Sequence, residues 1–177
     1  MDKVFRLLLW ITIFFLMARG KFKTLNCQLY DPKLGNFSKC EIKAVSRTKN
    51  IINVNFDIFN TIRAATIEVG IFKRENGWHP YLYSFSIDAC KFIKKPYNVV
   101  AILGFEYIKP YSNLNHTCPY MAGTSLIVKG FQVDIDQFRV RFPVPNGEYG
   151  LRLSIFRNKI LKATINGSVY YFDYKNQ

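Results

Sequence analysis

Asp88-Ala89-Cys90-Lys91-Phe92-Ile93 and Asn115-His116-Thr117-Cys118-Pro119-Tyr120 frame the stretch that organises this chain. Before Cys90, the residues Tyr81, Tyr83, Phe85 and Ile87 share one face against Ser84, Ser86 and Asp88, which predicts a strand over 81–89 running into the cysteine. Residues 88–93 then take helical spacing, and strand-rich sequence follows Cys118. A bridge from Cys90 to Cys118 closes a loop of about 28 residues onto a sheet. The loop-closure entropy it removes from the unfolded chain is worth ~3.5 kcal/mol.

Working outward, alternation at period two dominates. Ile52, Val54, Phe56 and Ile58 point one way, with Asn53, Asn55 and Asp57 the other. Ile67, Val69 and Ile71 repeat the pattern over 65–74. Glu75-Asn76-Gly77 reads as a turn and Trp78-His79-Pro80 as a loop. A helix is predicted from Tyr97 to Ile108, with Pro96 at its start and Pro110 after its end. Its stripe is Val99, Leu103 and Tyr107, with Ile102 beside it. Strands resume at 126–133. Asp136-Gln137 breaks the phase before Phe138, Val140 and Phe142. Tyr149, Leu151, Leu153 and Ile155 form another strand face, and Leu161, Ala163 and Ile165 begin the last strand after a turn at Asn158-Lys159. About eight strands with one short helical insert predict an all-β fold, an immunoglobulin-like antiparallel β-sandwich.

Residues 21–46 read as a hairpin. Leu25, Cys27 and Leu29 share one face, Cys40, Ile42 and Ala44 another, with turn chemistry over Asp31–Asn36. The register that sets Cys27 opposite Cys40 also sets Leu25 opposite Ile42. Of the three possible connectivities, Cys27–Cys40 with Cys90–Cys118 is therefore expected.

The first residues read as a secretory signal over 1–20, leaving one domain over 21–177. Lys3 and Arg6 make a basic start, an apolar run of about twelve residues extends from Leu7 to Ala18, and Ala18-Arg19-Gly20 offers small residues for cleavage after Gly20. The run falls short of the roughly 20 residues that cross a bilayer; an uncleaved anchor is the competing reading. Tyr174-Lys175-Asn176-Gln177 carries no retention or lipid-anchor pattern. The expected location is secreted, extracellular. Such a compartment also suits four cysteines as bridges rather than metal ligands.

The chain has 177 residues, 49% of them hydrophobic and 16% aromatic, enough for a single domain with a core. The formal charge is +13 and falls by two when Lys3, Arg6, Arg19 and Asp2 leave with the signal. Export argues against a nucleic-acid partner. The basic residues are spread out, apart from Lys91, Lys94 and Lys95. They read either as a solvated surface or as a face for an acidic membrane or glycan surface. Sequons stand at Asn36, Asn115 and Asn166. Glycans are expected most at Asn36 and Asn115; Asn166-Gly167 falls within the last strand.

Catalytic constellations are missing from the sequence. His79 and His116 have no nucleophile beside them, and no Gly-x-Ser-x-Gly, His-Glu-x-x-His or phosphate-binding glycine loop occurs. Asp134 and Asp136 lie near Arg139 and Arg141 and read as surface charge. The expectation is no enzyme, no metal and no cofactor.

Several runs together carry a family resemblance: Cys40-Glu41-Ile42-Lys43-Ala44-Val45-Ser46-Arg47-Thr48, Tyr81-Leu82-Tyr83, Asp88-Ala89-Cys90-Lys91-Phe92, Tyr111-Ser112-Asn113-Leu114-Asn115-His116-Thr117-Cys118-Pro119-Tyr120, and Pro143-Val144-Pro145-Asn146-Gly147-Glu148-Tyr149. The chain resembles the insect family of small secreted proteins grouped with the ML lipid-recognition superfamily. That superfamily includes the ganglioside activator and the Niemann-Pick type C cholesterol carrier, and chemosensory B-type proteins are insect relatives. The resemblance implies splayed sheets that hold lipid.

The expected function is a secreted, non-enzymatic carrier of a lipid or long-chain hydrocarbon. Its expected lining is Phe56, Ile58, Val69, Ile71, Tyr83, Phe85, Leu151, Leu153 and Ile155, with Val99, Leu103 and Tyr107 covering one end. The alternative is an interaction module with a closed core that meets a membrane receptor or glycan through its basic surface.

Overall fold

The computed structural model describes residues 19–47, 49–82, 84–134 and 144–172. In chain order the elements are β1 (Arg19–Leu29), β2 (Gly35–Ala44), β3 (Asn50–Ile58), β4 (Thr66–Arg74), β5 (Trp78–Pro80), β6 (Phe85–Asp88), α1 (Ala89–Lys94), α2 (Val99–Ile108), a 3-10 turn (Lys109–Tyr111), β7 (Ser125–Phe131), β8 (Gly147–Arg157) and β9 (Ile160–Phe172). The larger sheet runs β1-β9-β8-β4-β5, with β6 also on β4; the smaller runs β2-β3-β7. Every pairing is antiparallel. The expected two-sheet, all-β architecture is what the chain adopts.

The hairpin over 21–46 does not form. β1 pairs with β9 in the larger sheet, and β2 pairs with β3 in the smaller. The five residues between them carry the chain from one sheet to the other. Asp31 anchors this crossing: its Oδ1 accepts from the Lys33 N–H at 3.1 Å and its Oδ2 accepts from Lys162 Nζ at 2.7 Å. The bridge Cys27–Cys40 does form, with Cα atoms 6.2 Å apart, and it ties the two sheets face to face.

The strand expected over 81–89 forms only as β6, Phe85–Asp88. β5 and β6 both pair with β4, from Arg74↔Trp78 to Phe72↔Pro80 and again from Val69↔Phe85 to Thr66↔Asp88. Only Gly70 and Ile71 of β4 lie between the two ladders, and the Tyr81 N–H still donates to the Ile71 carbonyl at 2.8 Å. A bulge of this kind needs an unusual backbone, which Leu82 supplies with φ 59°. Trp78-His79-Pro80, expected as a loop, is a short strand because it extends the β4 ladder.

The helical insert is two helices. Asp88 caps α1, its Oδ1 accepting from the Lys91 N–H at 3.0 Å, and Asn98 caps α2, accepting from the Ala101 N–H at 2.9 Å. Asn98 fixes the start of α2 at Val99, so Pro96 lies before the cap instead of within the helix. Cys90 on α1 is bonded to Cys118, as expected. Asn158 and Lys159, both with positive φ (51° and 63°), make the tight β8–β9 turn. The strand read at Phe138, Val140 and Phe142 and most of the signal segment lie outside the described residues.

Among the described residues four apolar clusters make up the core. Leu34, Phe56, Ile58, Ile62 and Tyr120 form one under the smaller sheet, and Phe22, Ile52 and Val54 form a second between the sheets. Ile87, Phe92 and Ala101 join β6 to both helices. Tyr149 and Tyr171 form the fourth at one end of β8 and β9.

Candidate ligand site on the inner face of the larger sheet

Register decides which residues face inward. Cys27, whose bridge crosses to the smaller sheet, stands in line with Ile165, Leu153, Val69 and Phe85. The next inner row is Leu25, Gly167, Leu151 and Ile71; the row on the other side is Leu29, Ala163, Ile155, Ile67 and Ile87. The β1–β9 side of this face packs on the smaller sheet, and the β6 side packs on the helices. Between them, Val69, Ile71, Leu151, Leu153 and Ile155 belong to none of the clusters that the described residues form. Leu151, in a central strand of a six-stranded sheet, is 44% exposed. An inward leucine at such a position is ordinarily covered.

The two ends of this lane differ. Toward Ile67 lie Ile87, Phe92 and Ala101, all apolar and buried. Toward the other end, Ile71 is followed on the same face by Lys73, opposite Tyr149. Lys73 Nζ stands 5.9 Å from the Tyr81 ring centroid and 3.0 Å from Glu75 Oε1. The Tyr81 and Tyr149 rings lie 5.3 Å apart, and the Tyr149 hydroxyl donates to the Pro145 carbonyl at 2.6 Å. Burial pushes the Tyr149 phenol well above its ordinary range, and burial raises Tyr120 too, so both stay neutral at physiological pH. The lane therefore has one greasy end and one end with an ammonium and phenols. The break between β5 and β6 lies at the same level, since it falls at Gly70 and Ile71 of β4.

The lining expected from sequence divides accordingly. Val69, Ile71, Leu151, Leu153 and Ile155 come together on the lane, with Phe85 at its helix-side margin. Phe56 and Ile58 are instead sealed in the core of the smaller sheet, Ile58 at 1% exposure. Tyr83 lies outside the described residues. Of the helical stripe, Leu103 is half-buried, Val99 is 71% exposed, and the Tyr107 hydroxyl bonds the Asp134 backbone at 2.7 and 3.1 Å. The face of α2 that packs on the sheet is Ala101, Ile102 and Phe105. Lys73 and Tyr81 were missed as site residues. Alternation along 67–73 carries the signal for Lys73, since it continues the phase of Ile67, Val69 and Ile71.

A second, separate pocket of about 130 Å³ lies among the helices, lined by Phe92, Ile93, Pro96, Ile102, Phe105, Glu106, Lys109 and Asn115. A cavity of about that size holds one benzene ring, far short of a long acyl chain.

Of the carboxylates with lowered pKa, Glu75 sits beside Lys73 at the polar end of the lane and the other three lie elsewhere. Asp31 is held down by its bond from Lys162, Glu41 by Lys39 and then Asn53, Asp57 by Ser125 and then Ser38, and Glu75 by Lys73. Asp31, Glu41 and Asp57 lie in the crossing turn or on the outward side of the smaller sheet. Among the described residues no group of three or more His, Cys, Asp or Glu could hold a metal ion. His116 packs against Tyr120, with ring centroids 4.4 Å apart and the planes tilted by 48°. Of the sequon asparagines, Asn36 and Asn115 are exposed. Asn166 is half-buried, its Oδ1 accepting from Arg152 Nε at 3.2 Å.

Residues 67–151, just under half of the chain, match the family described as "Protein of unknown function (DUF1091)". Those residues run from β4 through β8 and include the Cys90–Cys118 bridge. Among curated proteins no match is found. Among solved structures, the chain is similar to chicken MD-1 in its crystal structure complexed with lipid IVa, at 16% identity and a TM-score of 0.40, over 89% of this chain and 99% of that one.

Proposed function

We propose that the protein is an exported, non-enzymatic carrier of a lipid or long-chain hydrocarbon, held against the inner face of the larger sheet. The observation that carries this reading is the exposed Leu151 amid Val69, Ile71, Leu153 and Ile155, an apolar lane that no packed cluster of the described residues claims. An acyl chain of roughly a dozen methylenes laid on it would gain on the order of 10 kcal/mol gross, at ~0.8 kcal/mol per methylene, before the cost of association. The chain's polar end would sit by Lys73 and the Tyr81–Tyr149 pair, so a fatty acid suits the lane better than a bare alkane. Leu103 would cover it from α2.

Export rests on the signal pattern over 1–20 and on two bridges that suit an oxidising compartment. Glycans would stand at Asn36 and Asn115, both exposed. The resemblance to chemosensory proteins adds taste or pheromone detection as a setting for such a carrier.

Native mass spectrometry of protein purified without detergent tests the reading, followed by denaturing extraction of whatever it holds. A stoichiometric lipid or hydrocarbon is the expected result. Empty protein that also takes up no fatty acid, sterol or hydrocarbon would rule the carrier out.

A further inference from the structure

The outward face of the larger sheet is also unusual. Register places Lys21, Tyr170, Glu148, Arg74 and Trp78 in one row across it. Thr24, Ser168, Gly150, Phe72 and Pro80 form the next, and Asn26, Asn166, Arg152 and Gly70 the one after. Three aromatic rings on this face each have a cation over them. Arg74 lies 5.6 Å from the Trp78 ring centroid, Arg152 lies 5.1 Å from Phe72, and Lys23, from the β1 bulge, lies 5.8 Å from Tyr170. Trp78 lies flat because Gly150 has no side chain: a Cβ there would stand 2.9 Å from the indole. Trp78 and Tyr170 still expose 44% and 41% of their surface.

Charge on these rows is one-sided. Within these rows the carboxylate is Glu148, already engaged by Arg74 at 3.7 Å and by the Ser168 hydroxyl at 2.9 Å, and exposed Glu68 stands one row beyond Arg152 on the same face. Against them stand Lys21, Lys23, Arg74 and Arg152. Strand geometry sets the Cα atoms of Arg74 and Arg152 about 14 Å apart, one strand over and four residues along. The outermost layer is thus guanidinium and ammonium, supported from beneath by rings.

We infer that this face binds an acidic polysaccharide, sulfated or carboxylated, laid across the strands. Planar guanidinium groups match sulfate and carboxylate oxygens in pairs. The exposed ring surfaces beside them offer contact to the apolar faces of sugars. Rings pressed flat on a sheet do not project into a bilayer, which favours the polysaccharide over an anionic membrane. The inference rests on the export proposed above and is independent of the lipid lane. It also requires Asn166 to be free of glycan, since a sugar there would stand on Arg152.

The test uses the full secreted chain, with heparin and hyaluronan as probes and phosphatidylserine vesicles as the rival surface. Heparin binding is expected at physiological salt, and R74Q/R152Q is expected to weaken it about tenfold. W78A is expected to weaken it about threefold. K39Q/K43Q, the same charge change on the smaller sheet, is expected to change it less than about twofold. Should R74Q/R152Q fold poorly by circular dichroism, K21Q/K23Q serves in its place, with a loss of about fivefold expected. Equal losses from K39Q/K43Q would reduce the effect to net charge and overturn the inference. So would no heparin binding by the native chain, vesicle binding as the interaction that the arginine variants abolish, or a glycan found on Asn166 by peptide mapping. Lipid uptake measured on the same variants is expected to stay unchanged, which separates this inference from the carrier reading. Sequons at Asn36 and Asn115 both found empty in protein made by its own cells would instead count against export.

Discussion

The inner faces of the two sheets are built from the same kinds of residue and end up in different states. On β3, Ile52, Val54, Phe56 and Ile58 are all buried. On β4 and β8, Val69, Ile71, Leu153 and Ile155 are half-buried and Leu151 is exposed. Both sets alternate at period two, and both face the space between the sheets. The difference arises from what lies opposite. Among the described residues three strands face six, the smaller sheet packing on the β1–β9 side and the helices on the β6 side. The helices reach Ile67, Phe85 and Ile87, and Leu151 between the two packed sides stays 44% exposed. An apolar face is thus dry or available according to what packs on it, and its own sequence does not say which.

The largest effect that would sharpen this contrast is on the dry side. Ile58→Ala is expected to cost about 3 kcal/mol of stability in denaturant unfolding, as deletions in a collapsed core do. Removing the tie between sheets with C27A/C40A is expected to cost a similar ~3 kcal/mol through loop entropy. It is also expected to broaden ligand specificity, which a competition series of acyl-chain lengths would read. On the open side Leu153→Ala is expected to cost about 1 kcal/mol or less, because part of its surface already meets solvent. The same substitution is expected to weaken fatty-acid uptake. A loss of about 3 kcal/mol there would break the contrast, since it would mean a packed site.

Filling the lane should separate stability from binding. Val69→Phe is expected to leave stability within about 1 kcal/mol, whereas overpacking a solid core costs typically 1–3 kcal/mol. It is expected to reduce fatty-acid uptake, as read by isothermal titration. Lys73→Gln is expected to weaken fatty acids while leaving the matching alcohols nearly unchanged; equal effects on both would remove Lys73 from the site.

The smallest expected effect concerns pH. The phenols of Tyr149 and Tyr120 are raised above their ordinary value of 10.0 by burial. The unfolded chain therefore loses these protons first. Their contribution is intact below pH 10 and is lost as pH rises from there through the raised folded values. Unfolding followed from pH 8 upward is expected to show that fall, and Tyr149→Phe is expected to make it shallower.

Much of this was legible in the residues. The alternation of Ile52 to Ile58 and of Ile67 to Ile71 and the turn at Asn158-Lys159 are local signals; both disulfides form as expected, but the reason given for Cys27–Cys40, a hairpin register, does not hold. The partner of β1 was not legible. Cys27 and Cys40 can meet across a hairpin or across two sheets, and the choice is made by pairing with β9, more than a hundred residues away. The broken edge was hidden because Tyr81, Tyr83, Phe85 and Ile87 keep strict alternation through a bulge that only the β4 ladder reveals. The buried face of α2 was misjudged because Val99, Val100, Ala101, Ile102, Leu103, Phe105 and Ile108 surround the helix, so periodicity selects no side. For the site, sequence supplied the apolar residues of both sheets alike. What packs opposite, among the described residues, separates Phe56 and Ile58, which are core, from Leu151 and Val69, which no packed cluster of those residues holds.

The most direct test of the open lane is a crystal structure of the native chain soaked with a fatty acid carrying bromine at its tail. The account predicts anomalous signal from the bromine over Leu151 and Val69, with the carboxylate toward Lys73. A larger sheet whose inner face is packed solid in every copy, with bromine found only at the outer surface, would contradict it.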